Sequence, residues 1–572
     1  MIKARIKAEN PDANLKSYAR AYRGFSWADM EKIFTWPRTG KLNIIHEALD
    51  RWCDEAGKRN QKAFFFEKND RVSSYSYMEL KEHSCRWANL LDRFGFQKGD
   101  RLFIFLPSCP DTYFAMTACA RLGIIFCPLY ASLGYEELEV RIQDARPRGI
   151  LTHPDLAENL PLDAMDSVAH LLFLEGPVPD AFPNGVLVPE WLERMPEERE
   201  PVWLEGDAPL YLIYTSGSTG PPKGVLHAHR DMVGHVMTAT HVLDVREDTV
   251  LWTDGDPAWV TGTVYSTLAP WLCGAVAVVQ GSPFSASTWY RTLERHQVTV
   301  WYTTPVTIRK LMEAGEDLPT RYDHSELKHV ATVGMSLAPE IFYWFRKHLR
   351  HAPHDTWWMS ETGMICLANF PAMDIKPGAM GKPVPGIEAA IIDEQGHPLP
   401  MMTMGELALK TPWPSLMAGI WQDEFRFQTY FHPAGWFKTG DMALMDEEGY
   451  FYHQGRMDDL IKVGEQLLGP YEIERILCQH PAVFEAAVIT KSVKPTEPSL
   501  KAFITLHRSF TPSARLNQEI KAFVRASLSQ ETPLKEVEFL DELPKTGAGK
   551  LLRRVLRARE LGLPGGDTRN MQ

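Results

Sequence analysis

From about residue 95 the chain alternates short, wholly apolar runs with helical stretches, and this rhythm restricts the fold more than any other feature. Arg101-Leu-Phe-Ile-Phe-Leu106 is bounded by Gly99-Asp100 and Pro107 and reads as a strand; Pro110 to Leu122 reads as a helix, and Gly123-Ile-Ile-Phe-Cys127 as the next strand. Strands that are apolar on both sides need cover on both faces, as in a parallel βαβ arrangement. The pattern returns at Gly149–Thr152, Leu210–Tyr214 and Val298–Tyr302. Alternation sustained this long predicts open α/β sheets with helices on both faces.

After about residue 375 the texture changes. Gly386-Ile-Glu-Ala-Ala-Ile-Ile392 and Gly405-Glu-Leu-Ala-Leu-Lys410 alternate in the manner of a smaller antiparallel β-structure. Gly455-Arg-Met-Asp-Asp459 is a charged hinge candidate. Beyond it, Ile473, Ile476 and Leu477 share a helix face, Val483–Thr490 and Lys501–Leu506 read as strands, 517–529 as a helix, and Leu552, Val555 and Leu556 as the apolar face of a last helix. The expected organisation is α/β: a large N-terminal domain over 1–455, with two open α/β sheets plus a smaller β-structure, and a small mobile α+β C-terminal domain over 456–572, hinged near Asp458. Residues 1–60, with Trp27, Trp36 and Trp52, read as an N-terminal arm that packs on the main body.

At 572 residues and 44% hydrophobic content the chain is long enough to build several cores around a deep cleft. Lys and Arg number 61 against 73 Asp and Glu, a net charge of −12 that argues against non-specific nucleic-acid binding and against attraction to an anionic membrane. The cysteines Cys53, Cys85, Cys109, Cys119, Cys127, Cys273, Cys366 and Cys478 form no C-x-x-C pair and mostly sit among apolar neighbours, which suits a reducing compartment. No apolar stretch is long enough to span a membrane and the N-terminus lacks an apolar core, so the expected location is cytoplasmic. Oligomeric state is not legible in the sequence.

Tyr211-Leu-Ile-Tyr214 runs into Thr215-Ser-Gly-Ser-Thr-Gly-Pro-Pro-Lys-Gly224. The glycines let backbone N–H groups approach an anion, the hydroxyls add donors, and Lys223 supplies charge, so the loop has the composition of a polyphosphate cradle. It is not a Walker A loop, because Pro222 precedes Lys223 and Gly224 follows it.

With this loop the sequence resembles the adenylate-forming acyl-CoA synthetases, and within them the acetate-activating members, from Trp27 to about Asp567. The resemblance implies that ATP activates a carboxylate to an acyl-AMP with release of pyrophosphate, after which coenzyme A attacks the acyl carbonyl and AMP leaves. The ligands it implies are acetate, ATP, coenzyme A and Mg2+, with no nucleic acid and no membrane. By the same resemblance Thr215, Ser216, Gly217, Ser218, Thr219, Gly220 and Lys223 hold the β- and γ-phosphates, and Thr215, Glu361 and Lys550 are the catalytic set. His354-Asp-Thr-Trp-Trp-Met-Ser-Glu-Thr-Gly363 matches a second family motif. It implies that Glu361 ligates Mg2+, that Asp355 accepts from the adenine amino group with Thr356 and Trp357 beside it, and that Thr362 meets the α-phosphate. Thr439-Gly-Asp441 follows Gly435-Trp-Phe437 and implies a ribose-binding Asp441, with Arg456 contacting nucleotide.

Lys545-Thr-Gly-Ala-Gly-Lys550 fits the family's C-terminal lysine motif, in which Lys550 enters the cleft only for adenylation. Its acetylation would remove the charge and switch that step off. Asp256-Pro-Ala-Trp-Val-Thr-Gly262, Val333-Gly334 and Trp358 match the acetate-specific pattern, which implies an acyl pocket of Trp259, Val260, Thr261, Val333, Gly334 and Trp358. A rigid Trp358 would exclude longer chains, so acetate is expected first and propionate poorly. Arg525 aligns with an arginine for the 3′-phosphate of coenzyme A. The arginines of the final helix (Arg553, Arg554, Arg557, Arg559) read as a solvated face, and His227-Ala-His229 as packing rather than a metal pair.

The match departs from the family twice. Gly334-Met335-Ser336 stands where Gly-Glu-Pro is usual beneath the adenine, and Gly464-Glu-Gln-Leu467 where Ser-Gly-x-Arg is usual, which puts Glu465 at the coenzyme A tunnel. Both half-reactions are reversible in the family, so acetyl-CoA synthesis and ATP formation from acetyl-CoA, AMP and pyrophosphate both stay open. Two alternatives stand beside this reading. One is a synthetase for a larger or aromatic carboxylate, if Met335 and Ser336 reshape the site. The other is a nucleotide-binding sensor that has lost turnover.

Overall fold

The computed structural model describes residues 5–7, 10, 12–55, 57–215, 222–457, 461–463, 466–468, 470–490, 500–527, 534–545 and 551–560. The chain packs as two compact units, Met1–Glu388 with Thr411–Thr429, and Ala389–Lys410 with Tyr430–Gln572.

The first unit holds two large sheets. One has nine strands, with Val250–Thr253, Val276–Gln280, Val300–Thr303, His329–Thr332 and His354–Trp357 as parallel neighbours or near neighbours at its centre. The other has eight; Arg101–Phe105 lies between Ile125–Leu129 and Gly149–Thr152, and the antiparallel hairpin Pro209–Thr215 and Lys223–Ala228 lies near one edge. The central strands are buried on both faces, as their unbroken apolar runs require. Helix Tyr77–Arg93 begins in a reciprocal cap, in which Ser76 Oγ accepts from the Glu79 N–H and Glu79 accepts from the Ser76 N–H.

The N-terminal arm docks through polar anchors as well as aromatic packing. The Arg121 guanidinium forms a bidentate, buried pair with Asp50 at 2.7 and 2.9 Å. The Trp52 indole donates to the Trp271 carbonyl, and the Tyr18 and Tyr22 hydroxyls donate to the carbonyls of Pro383 and Ile387.

In the second unit Ala389–Ile392, Gly405–Lys410, Trp436–Met445 and Phe451–Arg456 form an antiparallel sheet, and Val483–Thr490, Leu500–Leu506 and Leu534–Phe539 a three-stranded one. Helices Pro470–Leu477 and Ala514–Ser527 share an apolar core with the latter. The sequence reading assigned the antiparallel strands to 1–455. The second compact unit takes in these strands as well, and within it helix Pro470–Leu477 lies against strand Phe451–Arg456. The expected hinge residue Asp458 lies outside the described residues.

Several boundaries shift for local reasons. The strand expected to begin at Gly123 begins at Ile125, since Gly123 (φ 71°) is the left-handed cap of the preceding helix. The helix expected over 517–529 spans Ala514–Ser527, because Ser513 Oγ accepts the Leu516 N–H and starts it earlier. The final helix is Arg553–Glu560, and its arginines are not simply a solvated face: Arg553 pairs with Glu474 at 2.6 Å and Arg559 with Glu538 at 2.7 Å. All eight cysteines are free thiols, five of them buried. Among the described residues no helix is long and apolar enough to cross a membrane.

Candidate active site

The hydroxyl- and glycine-rich loop closes a β-hairpin. Thr215 ends one strand, Lys223 begins the next, and the two are register partners. Ser216, Gly217, Ser218, Thr219 and Gly220 lie outside the described residues. The Thr215 hydroxyl is buried and without a hydrogen-bond partner among the described residues, as a donor awaiting a ligand oxygen would be. Lys223 Nζ forms an ion pair with Glu361 Oε1, each side chain only 7% exposed.

Glu361 rides on the single turn Ser360–Thr362, and the backbone of this turn is gripped on every carbonyl. His227 Nε2 donates to the Ser360 carbonyl at 2.8 Å, the Met417 N–H to Glu361 at 3.0 Å, the Trp413 indole to Thr362 at 2.9 Å and His235 Nε2 to Gly363 at 3.2 Å. The other nitrogen of His227 shares a 2.6 Å hydrogen bond with the buried Asp231. Burial pushes His235 down to about 3, so it stays neutral. Gly363 has φ 69°, and a Cβ there would lie 2.0 Å from the Ser415 carbonyl oxygen; no other residue fits this close approach. The Thr362 hydroxyl, expected at the α-phosphate, accepts the Met359 N–H at 3.1 Å, which caps the turn, and its single proton lies within reach of the Met359 and Met364 carbonyls at 2.9 and 3.2 Å.

Asp355 is buried in strand His354–Trp357, as the register partner of Thr332 on the neighbouring strand. It accepts from the Thr332 hydroxyl at 2.9 Å and from the Leu337 N–H at 3.2 Å, and so pins the Gly334-Met335-Ser336 loop. Burial raises its pKa to about 7. Met335 stands exposed on that loop. A Cβ on Gly334 would touch the Trp259 ring at 3.4 Å, which brings two of the expected acyl-pocket residues together. Val260, Thr261, Val333 and Trp358 are all buried, and the Thr261 hydroxyl has no partner among the described residues. Thr356 is hydrogen-bonded to the Thr332 carbonyl, and Trp357 is buried beside it on the same strand.

In the second unit Asp441 and Arg456 face each other across an antiparallel pair, 2.8 Å apart, with Arg456 also donating to the Thr439 carbonyl. His453 approaches the other Asp441 oxygen at 3.7 Å. Arg525 is exposed on the last turn of helix Ala514–Ser527. Gly464, Glu465 and Lys550 lie outside the described residues. Lys545, at the base of the segment carrying Lys550, pairs with both Glu485 oxygens at 2.6 and 2.7 Å.

Among the described residues no group of three or more His, Cys, Asp or Glu could cage a metal; His227 and His229 are both buried. Glu361 is a hard carboxylate oxygen donor beside the buried Lys223, chemistry that would suit a cation such as Mg2+ arriving with phosphate oxygens. Sequence reasoning had no route to His235, Trp413 and Met417. Their partner is a backbone turn far away in the chain, and no motif marks that relation.

A nucleotide polyphosphate calls for a donor-rich loop and a buried cation on a rigid support, and the first unit holds a hydroxyl- and glycine-rich loop sequence beside the buried Lys223–Glu361 pair and its firmly held turn. The class so defined is that of enzymes activating substrates with ATP. Residues 50–421 match the family model described as AMP-binding enzyme, and residues 472–550 match the AMP-binding enzyme C-terminal domain. The chain belongs to the AMP-binding enzyme family. It is similar to an acetyl-coenzyme A synthetase of Bacillus subtilis (strain 168), 44% identical over 568 residues that cover 99% of each chain. It is also similar to one of Methanothrix soehngenii, 33% identical over 93% of this chain and 84% of the other. Among solved structures the anthranilate CoA ligase AuaEII in complex with anthranoyl-AMP superposes with a TM-score of 0.83 at 25% identity, covering 94% of this chain and 99% of that one.

Proposed function

We propose that this chain ligates acetate, and propionate poorly, to coenzyme A through an enzyme-bound acyl-AMP, releasing pyrophosphate and then AMP. The observation that carries the reading is the buried Lys223–Glu361 pair, with Lys223 the register partner of Thr215, whose buried hydroxyl has no partner among the described residues. In the first step an acetate oxygen attacks the α-phosphorus and the bond to pyrophosphate breaks. The loop Thr215–Lys223 takes up the charge that moves onto the leaving group. Glu361 would hold Mg2+, which supplies further neutralisation of the phosphates when bound. Asp355 receives the adenine amino group, Asp441 the ribose hydroxyls with Arg456 beside it, and Lys550 meets the carboxylate and α-phosphate. In the second step the coenzyme A sulfur attacks the acyl carbon and AMP leaves, with Arg525 on the 3′-phosphate and Gly464 and Glu465 along the tunnel. A lid of 456–572 turning about Asp458 serves the two steps in sequence.

The chemistry of a thiol substrate and eight free cysteines supports a cytoplasmic setting. Acetylation of Lys550 would be an off-switch for adenylation. The deciding experiment is acetate-dependent ATP–pyrophosphate exchange by the purified protein. Exchange with acetate, weaker with propionate and absent with benzoate, is the expected result. ATP binding without exchange would refute the enzyme reading, and exchange with benzoate but not acetate would refute the acid.

A further inference from the structure

Trp358 is not held by packing alone. Its indole Nε1 donates to the Tyr302 hydroxyl at 3.0 Å. An indole N–H can only donate, so the Tyr302 oxygen accepts there and its own proton must go elsewhere. It goes to Thr356 Oγ1, 2.8 Å away, because the Thr356 hydroxyl spends its proton on the Thr332 carbonyl at 2.7 Å. The relay Trp358 to Tyr302 to Thr356 to Thr332 thus has one direction and ends on the backbone of a central strand. Tyr302 is itself fully buried on the neighbouring strand Val300–Thr303.

A second ring fixes the face of the indole. Tyr265 stands edge-on to Trp358 (centroids 5.2 Å apart, 86°) and edge-on to Tyr302 (5.4 Å, 87°). Tyr265 cannot turn freely, because its hydroxyl bonds to Thr238 Oγ1 at 2.7 Å and accepts the Ile365 N–H at 3.2 Å. The indole is therefore restrained in plane by one tyrosine and in position by the other.

We infer that Tyr302 is a specificity-determining positioning residue: its hydroxyl locks the Trp358 indole in the orientation that shortens the acyl pocket. This rests on the acyl-pocket reading proposed above. An indole released from Tyr302 would leave a buried N–H without a partner and would rotate to find one, and the space it vacates would admit a longer acid. Only the hydroxyl is at issue, so Tyr302→Phe, which keeps the ring and its contact with Tyr265, is the discriminating variant.

The test measures kcat/KM for acetate, propionate and butyrate in the parent, Tyr302→Phe, Trp358→Gly and Trp358→Phe with and without Tyr302→Phe. Tyr302→Phe should raise the propionate-to-acetate ratio about tenfold through KM for the acid, with KM for ATP unchanged. In the Trp358→Phe background, which has no N–H to hold, the same substitution should change the ratio less than twofold. A ratio unmoved by Tyr302→Phe while Trp358→Gly broadens the range would overturn the inference and leave the pocket standing. A range unmoved by Trp358→Gly would remove the pocket itself. Should Tyr302→Phe not fold, Thr356→Val removes the next link of the relay and must shift the ratio the same way, and no shift there counts against the inference.

Discussion

Lys223 and Glu361 neutralise each other inside the first unit, and neither charge is solvated. Glu361→Gln should lower acetate-dependent exchange by at least about 100-fold, by withdrawing a group that stabilises charge in the transition state. The same change removes this partner from a buried ammonium and should cost about 3 kcal/mol in urea unfolding. Asp355 is the second residue whose surroundings set its behaviour. Its folded pKa, raised to about 7 by burial, lies above that of an unfolded aspartate. Its contribution to stability is therefore full at acid pH and is lost as pH rises toward 7. The adenine role proposed for Asp355 has the opposite need, because an amino donor wants the ionised carboxylate. KM for ATP should rise as pH is lowered from 8 to 6, and a titration in which Asp355→Asn shows the same slope would contradict this. Glu361 and Asp355 were both singled out in the sequence because the stretch that carries them, His354 to Gly363, resembles a family motif; a lone carboxylate outside such a pattern would have read as a solvated charge.

At the scale of elements, the strand–helix rhythm of the first sheet was readable because strands buried on both faces leave no other pattern. What was not readable is how elements distant in the chain converge on the turn Ser360–Thr362. His227 was recognised as interior, yet its bond to the Ser360 carbonyl, and the parallel grips of His235, Trp413 and Met417, are relations between segments that no local spacing encodes. Tyr302 escaped for the same reason: in sequence it is one more apolar strand residue. His227→Leu should slow exchange about tenfold, by loosening the support of Glu361, and should also lower stability because Asp231 loses its buried partner. Restoring Asp231→Asn in that background should recover stability and leave the rate low. If the rate recovers as well, the imidazole does not position the turn.

On the whole-molecule scale the prediction concerns separable steps. Lys550→Ala should abolish ATP–pyrophosphate exchange yet leave thioester formation from supplied acetyl-AMP and coenzyme A within about threefold of the parent. Equal loss of both would contradict a lid that serves them one after the other. The sulfur atoms of the chain bear on the same question of competing chemistry. Burial pushes Cys53 up to about 11 and Cys273 to about 12, and raises Cys85, Cys109, Cys119, Cys127 and Cys366 as well. A catalyst whose second substrate is itself a mercaptan must not offer a rival nucleophile to its own activated acyl group. Seven thiols held protonated at neutral pH are poor nucleophiles, which leaves the substrate's own sulfur with less competition for the acyl carbon.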